Sequence, residues 1–433
     1  MGNKPISLGD CFTMQRGTTY KSRLLGLPGP VLLGLGSICR NGGFRADSLK
    51  TYGGECPEKL MVYPGDLFLS LKDVTQSADL LGAVARLPIN QKPGRLTQDT
   101  VKLIPIQSEI PQHYLYWLLQ TPQYRDYCRQ HSTGTTNLGL SRDDFFAFPV
   151  LPITTYRLSV CDCLDALEQK ITLLHSMNET IEAMARALFK SWFVDFDPVR
   201  KKAEGQPTGL PPEIDALFPD SFEDSEQGEI PKDWKIKELT EEFEITMGQS
   251  PPGESYNEFG EGIPFYQGRT DFGFRYPTRR LFCTDPKRFA SVGDTLVSVR
   301  APVGDMNMAY EKCCIGRGVA SVRHKESYLS FTYYCLNSLR ESFYKFEAEG
   351  TVFGSINQKD FHRIKCAMAP RELIRVLDRL ILPIDQEILS QSREISLLEN
   401  TRDSLLPKLI SGDLELSDQM IKKILEPVKC TTD

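Results

Sequence analysis

Two long stretches of the chain carry apolar residues at seven-residue intervals. In residues 164–196 the two interleaved series are Leu167, Leu174, Ile181, Leu188 and Leu164, Ile171, Asn178, Ala185. In residues 371–416 they are Leu377, Ile384, Gln391, Leu398, Leu405 and Ile381, Ile388, Ile395, Arg402, Leu409. This spacing predicts two long helices with narrow apolar seams, and in the simplest arrangement the two helices pack on each other.

Both seams contain polar positions, Asn178 in the first and Gln391 and Arg402 in the second. An isolated polar residue in a seam commonly fixes the register of a helix pair at some cost in stability. The alternative is a pair of ordinary amphipathic helices, each packed on its own domain. We rank the coiled coil first because apolar heptads of this length are unusual in a compact domain.

The sequence outside these helices contains an internal repeat. Four pairs of segments match in order: 8–17 with 239–249, 63–73 with 291–301, 116–127 with 333–344, and 134–145 with 350–361. The second pair keeps a Gly-Asp turn, an alternating strand and a final cation, so that Lys72 falls on Arg300. The third pair predicts one short helix in each copy. Internal repetition of this kind indicates two similar domains.

The predicted fold class is therefore α+β, with two pseudo-repeated mixed α/β domains joined by two long antiparallel coiled-coil helices. The predicted boundaries are 1–155 for the first domain, 156–196 for the central helix, 197–232 for a crossing segment, 233–369 for the second domain, 370–416 for the C-terminal helix and 417–433 for a polar tail.

The crossing segment is rich in proline and acidic residues. It holds six prolines, which predicts neither helix nor strand along most of its length. It also carries too many apolar residues for a free linker, among them Leu210, Ile214, Leu217, Phe218 and Phe222. We expect an ordered segment that lies over a folded surface.

Composition describes an ordinary globular protein, with 40% apolar and 25% charged residues among 433. No apolar run is long enough to span a membrane and the N-terminus lacks a signal-peptide pattern, which predicts a cytoplasmic protein. The net charge of −6 argues mildly against binding nucleic acid unaided. The charge is sorted by region: residues 262–325 hold eleven Lys and Arg against five acids, and residues 195–230 hold three against ten.

Motifs for an enzyme are weak. The chain has no GxxxxGK[ST] phosphate loop and no Cys-x-x-Cys pair, and its five histidines are scattered without metal spacing. Ser250-Pro251-Pro252-Gly253 resembles the motif of amino-methyltransferases but has glycine where the base-stacking aromatic residue must stand. We predict neither a catalytic centre nor a metal site.

The loops favour nucleic acid. Guanidinium and amide groups can pair with base edges, and the same cations can neutralise phosphates. The candidates in the first domain are Arg16, Lys21, Arg23, Arg40, Asn41, Arg45, Lys72, Thr135, Thr136 and Asn137. Those in the second are Gln267, Arg269, Arg275, Tyr276, Arg279, Arg280, Arg300, Thr351, Ser355, Asn357 and Gln358. Any one of them could be a solvated surface residue, and the matched placement in both copies raises the set above that alternative.

Two similar domains separated by a helical spacer could each contact one part of a DNA duplex. About 30 helical residues span ~45 Å, and half-sites one duplex turn apart are separated by about 34–36 Å. The same layout could hold two protein partners instead. Geometry alone does not choose between them.

The segments 189–205 (FKSWFVDFDPVRKKAEG), 209–239 and 405–416 (LLPKLISGDLEL), in this order with the repeat, resemble the specificity subunits of Type I restriction-modification systems, the HsdS family. The resemblance spans nearly the whole chain. It implies that each domain reads one half of a split DNA sequence and that the helices set the unread spacer.

The same resemblance implies a non-catalytic subunit without cofactors of its own. It would dock two adenine methyltransferase subunits, which use S-adenosylmethionine, and two motor-nuclease subunits, which use ATP with Mg²⁺. Phe189, Trp192 and Phe193 are candidate docking residues, with burial inside this chain as an equal alternative. A different class of function, a scaffold whose repeated domains bind proteins, stays open.

Overall fold

The computed structural model describes residues 6–46, 49–75, 77–106, 110–135, 137–348 and 354–411, without the side chains of residues 347, 348 and 408–411. The chain divides into two compact units, residues 1–173 with 396–433 and residues 174–395. Each unit contains one copy of the repeat and a part of both long helices.

The described residues of the first copy form ten strands and four α-helices. The strands are β1 (Phe12–Arg16), β2 (Val31–Leu33), β3 (Met61–Val62), β4 (Leu67–Ser70), β5 (Lys72–Asp73), β6 (Val84–Arg86), β7 (Gly94–Leu96), β8 (Thr100–Pro105), β9 (Ser132–Thr133) and β10 (Leu138–Leu140). The helices are α1 (Leu8–Cys11), α2 (Gln112–Leu118), α3 (Pro122–Gln130) and α4 (Arg142–Ala147).

The central sheet of the first domain is antiparallel, in the order β1-β8-β4-β6. Successive residues of a strand point to opposite faces of the sheet. Leu67 and Leu69 accordingly pack in the core that includes α2, whereas Phe68 between them packs in the core that includes the small sheet β2-β7-β3. The domain therefore has a helix layer on one face of its central sheet and a second sheet on the other.

Helix α5 (Thr155–Phe193) follows, and the chain turns at Phe196, which has a left-handed φ of 58°. The crossing segment contains α6 (Asp197–Ala203), α7 (Pro212–Asp215) and a hairpin of β11 (Phe222–Ser225) and β12 (Gly228–Pro231).

The prediction that prolines bar regular structure along most of the crossing segment is therefore wrong. Pro198 and Pro212 stand in the first turns of α6 and α7, where a helix needs no N–H from them. Pro231 ends a strand of a two-stranded hairpin. The apolar residues of the segment pack on the core of the second unit, with Phe218 buried and Ile214 partly buried.

The described residues of the second copy form eleven strands and four α-helices. The strands are β13 (Lys235–Glu238), β14 (Phe243–Met247), β15 (Tyr256–Asn257), β16 (Ile263–Tyr266), β17 (Leu281–Cys283), β18 (Phe289–Ala290), β19 (Thr295–Ser298), β20 (Met306–Met308), β21 (Cys313–Ile315), β22 (Val319–His324) and β23 (Lys365–Met368). The helices are α8 (Leu239–Glu242), α9 (Leu329–Ser338), α10 (Arg340–Ala348) and α11 (Gln358–His362).

The sequence repeat corresponds to a structural repeat. The order β14-β22-β19-β20 reproduces β1-β8-β4-β6, and the parallel pair β16 and β21 reproduces β2 and β7. Before each central strand a glycine adopts positive φ, 91° at Gly65 and 85° at Gly293. The following aspartates, Asp66 and Asp294, each accept the backbone N–H three residues earlier. Where one short helix was predicted, each copy has two, α2 with α3 and α9 with α10.

The second long helix, α12, spans Arg371–Ser411. In one unit the beginning of α5 packs with the end of α12, as Leu164 and Leu406 share a core. In the other unit the end of α5 packs with the beginning of α12, as Ala185 and Leu377 share a core. The two helices are therefore antiparallel, as predicted. No helix in the described part of the chain is long and apolar enough to cross a membrane.

Candidate nucleic-acid interface

The chain just after the central strand β19 lies beside Gly354 and Ser355, which belong to the repeated segment 350–361. The N–H of Ala301 donates to the carbonyl oxygen of Gly354 at 2.9 Å. Arg300 and Ser355 form an antiparallel bridge, and both residues are exposed. Two segments that the repeat had singled out separately thus form one surface.

A second cation, Arg317, lies at the same edge. The carbonyl oxygen of its neighbour Gly318 accepts a hydrogen bond from the N–H of Val299, just after β19, at 3.0 Å. A Cβ atom at Gly318 would lie 2.3 Å from the carbonyl oxygen of Gln267, so glycine is required for this close approach. Arg317 is exposed, and its Nε donates to Ser250 Oγ at 3.2 Å.

The second strand-end surface comprises four exposed residues: Gln267, Arg300, Arg317 and Ser355. Neither arginine forms an ion pair with any residue that the structure describes. A guanidinium group has five N–H donors in a fixed fork, which suits phosphate oxygens and guanine edges. This surface therefore has free positive charge and directional donors.

The first domain has a corresponding edge. Lys72 in β5 pairs with Gly139 of β10, and Arg16 at the end of β1 lies opposite Val101 of β8. The Nζ atom of Lys72 is 3.6 Å from a carboxylate oxygen of Asp99, and Lys72 stays exposed. The first strand-end surface comprises the exposed residues Arg16, Lys72, Thr135 and Asn137.

The other first-domain candidates lie on separate loops. Lys21 and Arg23 are exposed on one short turn. Arg40 is exposed 3.9 Å from Asp79, a separation at which an exposed ion pair has little strength. Asn41 accepts a hydrogen bond from the Arg129 side chain at 3.3 Å.

Arg45 is exposed on the same loop as Arg40. Thr136 and Thr351 lie outside the described residues, so their assignment stays a prediction.

Arg275 is buried, so the prediction that its side chain is available to contact DNA is wrong. Its side chain is buried, forms an ion pair with Asp385 of α12, and lies with its guanidinium carbon 3.4 Å from the ring centre of Tyr333. Burial lowers its pKa, but Coulombic interactions with Tyr333, Asp385 and Tyr334 outweigh that effect and raise the pKa overall. Tyr276 is turned the same way, because its hydroxyl donates to the Asp385 carbonyl oxygen at 3.3 Å.

The three other arginines of this stretch are exposed but occupied by carboxylates: Arg269 with Asp305, Arg279 with Glu311, and Arg280 with Asp271. Hydrogen bonds from Arg279 to both Glu311 oxygens, at 2.8 and 2.6 Å, raise the pKa of that guanidinium. Arginines paired in this way can bind another anion only after they release their carboxylate partners, so we expect them to be weaker candidates for DNA contact than Arg300 and Arg317.

Asn357 is a helix cap rather than a free hydrogen-bonding group. Its side-chain oxygen accepts the N–H of Asp360 at 3.0 Å at the start of α11, as Ser141 accepts the N–H of Asp144 at the start of α4. Gln358, the first residue of α11, is exposed and stays a candidate.

Because of this cap, Asn357→Ala is expected to lower the free energy of unfolding by about 1 kcal/mol. Urea unfolding of the full-length chain, followed by tryptophan fluorescence, measures the change. Gln358→Ala is the matched control and is expected to change stability by less than about 0.5 kcal/mol. Equal losses in the two variants would show that the cap does not stabilise α11.

Phe189, Trp192 and Phe193 are buried, so the alternative of burial inside this chain is confirmed and the prediction of an exposed docking surface is wrong. Phe189 and Phe193 stack with ring centres 5.0 Å apart, and Phe193 contacts Trp234 at 5.4 Å. All three belong to the core that the end of α5 shares with the second domain.

Sequence reasoning missed two features. Arg317 was counted in the basic stretch but not singled out, although its flanking glycines mark a tight turn. On α5, Met177 and Met184 are 41% and 62% exposed and seven residues apart, next to the seam positions.

In the part of the chain that the structure describes, no group of three or more His, Cys, Asp or Glu could hold a metal ion.

The domain that carries the second strand-end surface matches a known family. Residues 231–372 match the Type I restriction modification DNA specificity domain. The putative type I restriction enzyme MjaX specificity subunit of Methanocaldococcus jannaschii is 29% identical over 321 residues, which cover 72% of this chain and 71% of that protein. Residues 231–372 are therefore similar to that DNA specificity domain, and the chain as a whole is similar to Type I restriction-modification specificity subunits.

Two further proteins are similar to this chain, one in sequence and one in fold. The type I restriction enzyme HindI specificity subunit of Haemophilus influenzae is 25% identical over 313 residues, covering 61% of this chain and 68% of that protein. The crystal structure of the Type I restriction-modification S subunit from M. genitalium shares the fold, with a TM-score of 0.54 at 16% identity over 94% of this chain and 97% of that chain.

Proposed function

We propose that this chain is the DNA sequence-specificity subunit of a Type I restriction-modification complex, in which each domain reads one half of a split DNA sequence. The observation that carries the proposal is the repetition of one surface. In each domain, an exposed cation two residues after the central strand, Lys72 or Arg300, lies beside the matched repeat segment, at Gly139 or Ser355.

The two surfaces differ in chemistry, which suits the reading of two different half-sites. The first combines Arg16 and Lys72 with small polar side chains. The second has two arginines without acidic partners among the described residues and Gln267, side chains that can pair with guanine and adenine edges or with phosphates. Unlike side chains at matched positions would read unlike bases.

Partner subunits supply the rest of the DNA clamp and the chemistry. The net charge of −6 would oppose binding of DNA by this chain alone, and partner cations would offset it. We assign methylation of adenine, with S-adenosylmethionine, to two methyltransferase subunits. We assign ATP- and Mg²⁺-dependent cleavage to two motor-nuclease subunits.

The methyltransferase subunits would dock on the exposed apolar positions of the long helices, in place of the buried aromatic residues. Met177 and Met184 on α5 and Leu380 on α12, the last 43% exposed, are candidates. Exposed methionines on a helix adapt readily to a partner surface.

The test is to co-express the chain with the methyltransferase subunit of its own operon and to map adenine methylation across a DNA library. The expected result is one split motif with two defined halves around a fixed unread gap. The methyltransferase subunit without this chain is the control and should leave no motif. A complex that assembles and methylates without any sequence preference would contradict the proposal.

A further inference from the structure

In each domain an arginine forms an ion pair with a carboxylate of a long helix and stacks on a tyrosine ring of its own domain. We call this arrangement an arginine clamp. In the second unit, Arg275 is 1% exposed and forms an ion pair with Asp385 of α12. The Tyr334 hydroxyl donates to the same carboxylate at 3.2 Å, and Tyr333 stacks under the guanidinium group. One carboxylate of the helix therefore binds two side chains of the domain.

The first unit contains an arginine paired with carboxylates of a long helix in a similar way. Arg86 of β6 donates to both carboxylate oxygens of Asp165 on α5, at 3.2 and 2.8 Å, and also pairs with Glu168. Its guanidinium carbon lies 4.3 Å from the ring centre of Tyr116. Trp117 Nε1 donates to Asp165 at 2.7 Å, and the Tyr116 hydroxyl donates to Glu168 at 2.7 Å.

The two clamps use matched aromatic residues but unmatched arginines. Tyr116 and Trp117 correspond to Tyr333 and Tyr334 in the repeat. The strand position of Arg86 is filled in the second copy by Met308, since each lies opposite the first residue of its central strand, Leu67 or Thr295. Met308 N–H instead donates to the carbonyl oxygen of Arg275 at 2.8 Å. The second copy thus brings its arginine to the same place from a different loop.

Such clamps do little for net stability but much for orientation. Apolar residues of similar volume usually replace a buried ion pair without loss of stability, because removing both charges from water is costly. A guanidinium fork stacked on a ring and paired with a carboxylate is, however, directional. A domain held in this way has one orientation on its helix, whereas apolar packing alone tolerates small rotations.

We propose that the arginine clamps are specificity-determining: they fix the orientation of each reading domain on its helix and thereby the spacer length that the complex accepts. The proposal rests on the function proposed above. One added base pair moves a half-site by about 3.4 Å along the duplex and by about 35° around it. A domain free to tilt can accommodate part of that change, and a clamped domain cannot.

The test uses the complex with its methyltransferase subunit and DNA substrates that carry both half-sites at the native spacer or with one base pair more or fewer. Arg275→Met with Asp385→Leu removes both charges and keeps the volume. The expected result is a rise of roughly tenfold in methylation of the altered spacers relative to the native one. The preferred bases in both half-sites should stay the same.

The matched control removes an exposed ion pair between the same domain and the same helix. Arg371 of α12 pairs with Glu326 at 2.5 Å, and the Arg371 side chain is 73% exposed. Arg371→Gln with Glu326→Gln should leave the spacer preference unchanged, because an exposed pair imposes little order.

The clamp hypothesis is overturned if the Arg275→Met/Asp385→Leu complex methylates DNA with the wild-type spacer preference. If that variant does not fold, Arg275→Lys and Tyr334→Phe decide in its place. Lysine keeps the charge without the fork, and phenylalanine keeps the ring without the second hydrogen bond, so both should relax the spacer preference less strongly. A wild-type complex that shows no split motif would instead contradict the underlying function.

Discussion

Replacement of Arg275 with alanine is expected to lower the free energy of unfolding of the second unit by about 3–5 kcal/mol. The large effect arises because the substitution leaves the Asp385 carboxylate buried without its guanidinium partner. Urea unfolding of the full-length chain measures it, and two of the three tryptophans, Trp192 and Trp234, report on that core.

Two comparisons separate this cause from the loss of a charge. Arg275→Met with Asp385→Leu should recover most of the stability, since no buried charge is left unpaired. Arg279→Ala removes an exposed arginine from the same stretch and should cost no more than about 1 kcal/mol. If Arg275→Ala were no more destabilising than Arg279→Ala, the buried ion pair would not have the importance that its geometry indicates.

Removal of both unpaired arginines of the second strand-end surface, Arg300→Ala with Arg317→Ala, is expected to weaken DNA binding by the assembled complex roughly 10- to 100-fold. Each guanidinium that contacts phosphate contributes about one unit to the slope of log affinity against log salt. The measurement is therefore a salt titration of binding to a duplex that carries the methylated motif, with wild-type and variant complexes side by side.

The matched control is Arg279→Ala with Arg280→Ala, which removes the same charge from arginines tied to Glu311 and Asp271. This control should reduce affinity and salt slope much less. A larger loss in the control than in the Arg300/Arg317 variant would mean that DNA contacts the other side of the second domain.

The sequence was most informative where contacts are local or repeated. The heptads gave both long helices, since seam residues such as Leu164, Asn178 and Ile388 are buried as the spacing requires. The matched Gly-Asp turns predicted the positions of the central strands. A turn with positive φ favours glycine, so it can be recognised in the sequence before an alternating strand.

The site was harder to predict because long-range pairing decides which cations are free. Arg275 lies among five other candidates in the sequence, and only the fold brings it to Asp385, 110 residues away. Arg317 had no matching cation in the first copy, so the repeat did not mark it. The prolines of the crossing segment were misinterpreted because the position of a proline within a helix, rather than its presence, decides whether the helix forms.

The boundary between the compact units lies inside both long helices, after Leu173 in α5 and before Ser396 in α12. Chimeras that exchange one reading domain between related proteins should therefore be joined within these helices. A junction at residue 155 would combine a foreign domain with the native α5. Asp165 and Glu168 of α5 would then face a foreign residue in place of their partner Arg86. Junctions at 173 and 396 transfer each domain together with the helix segments that belong to the same compact unit.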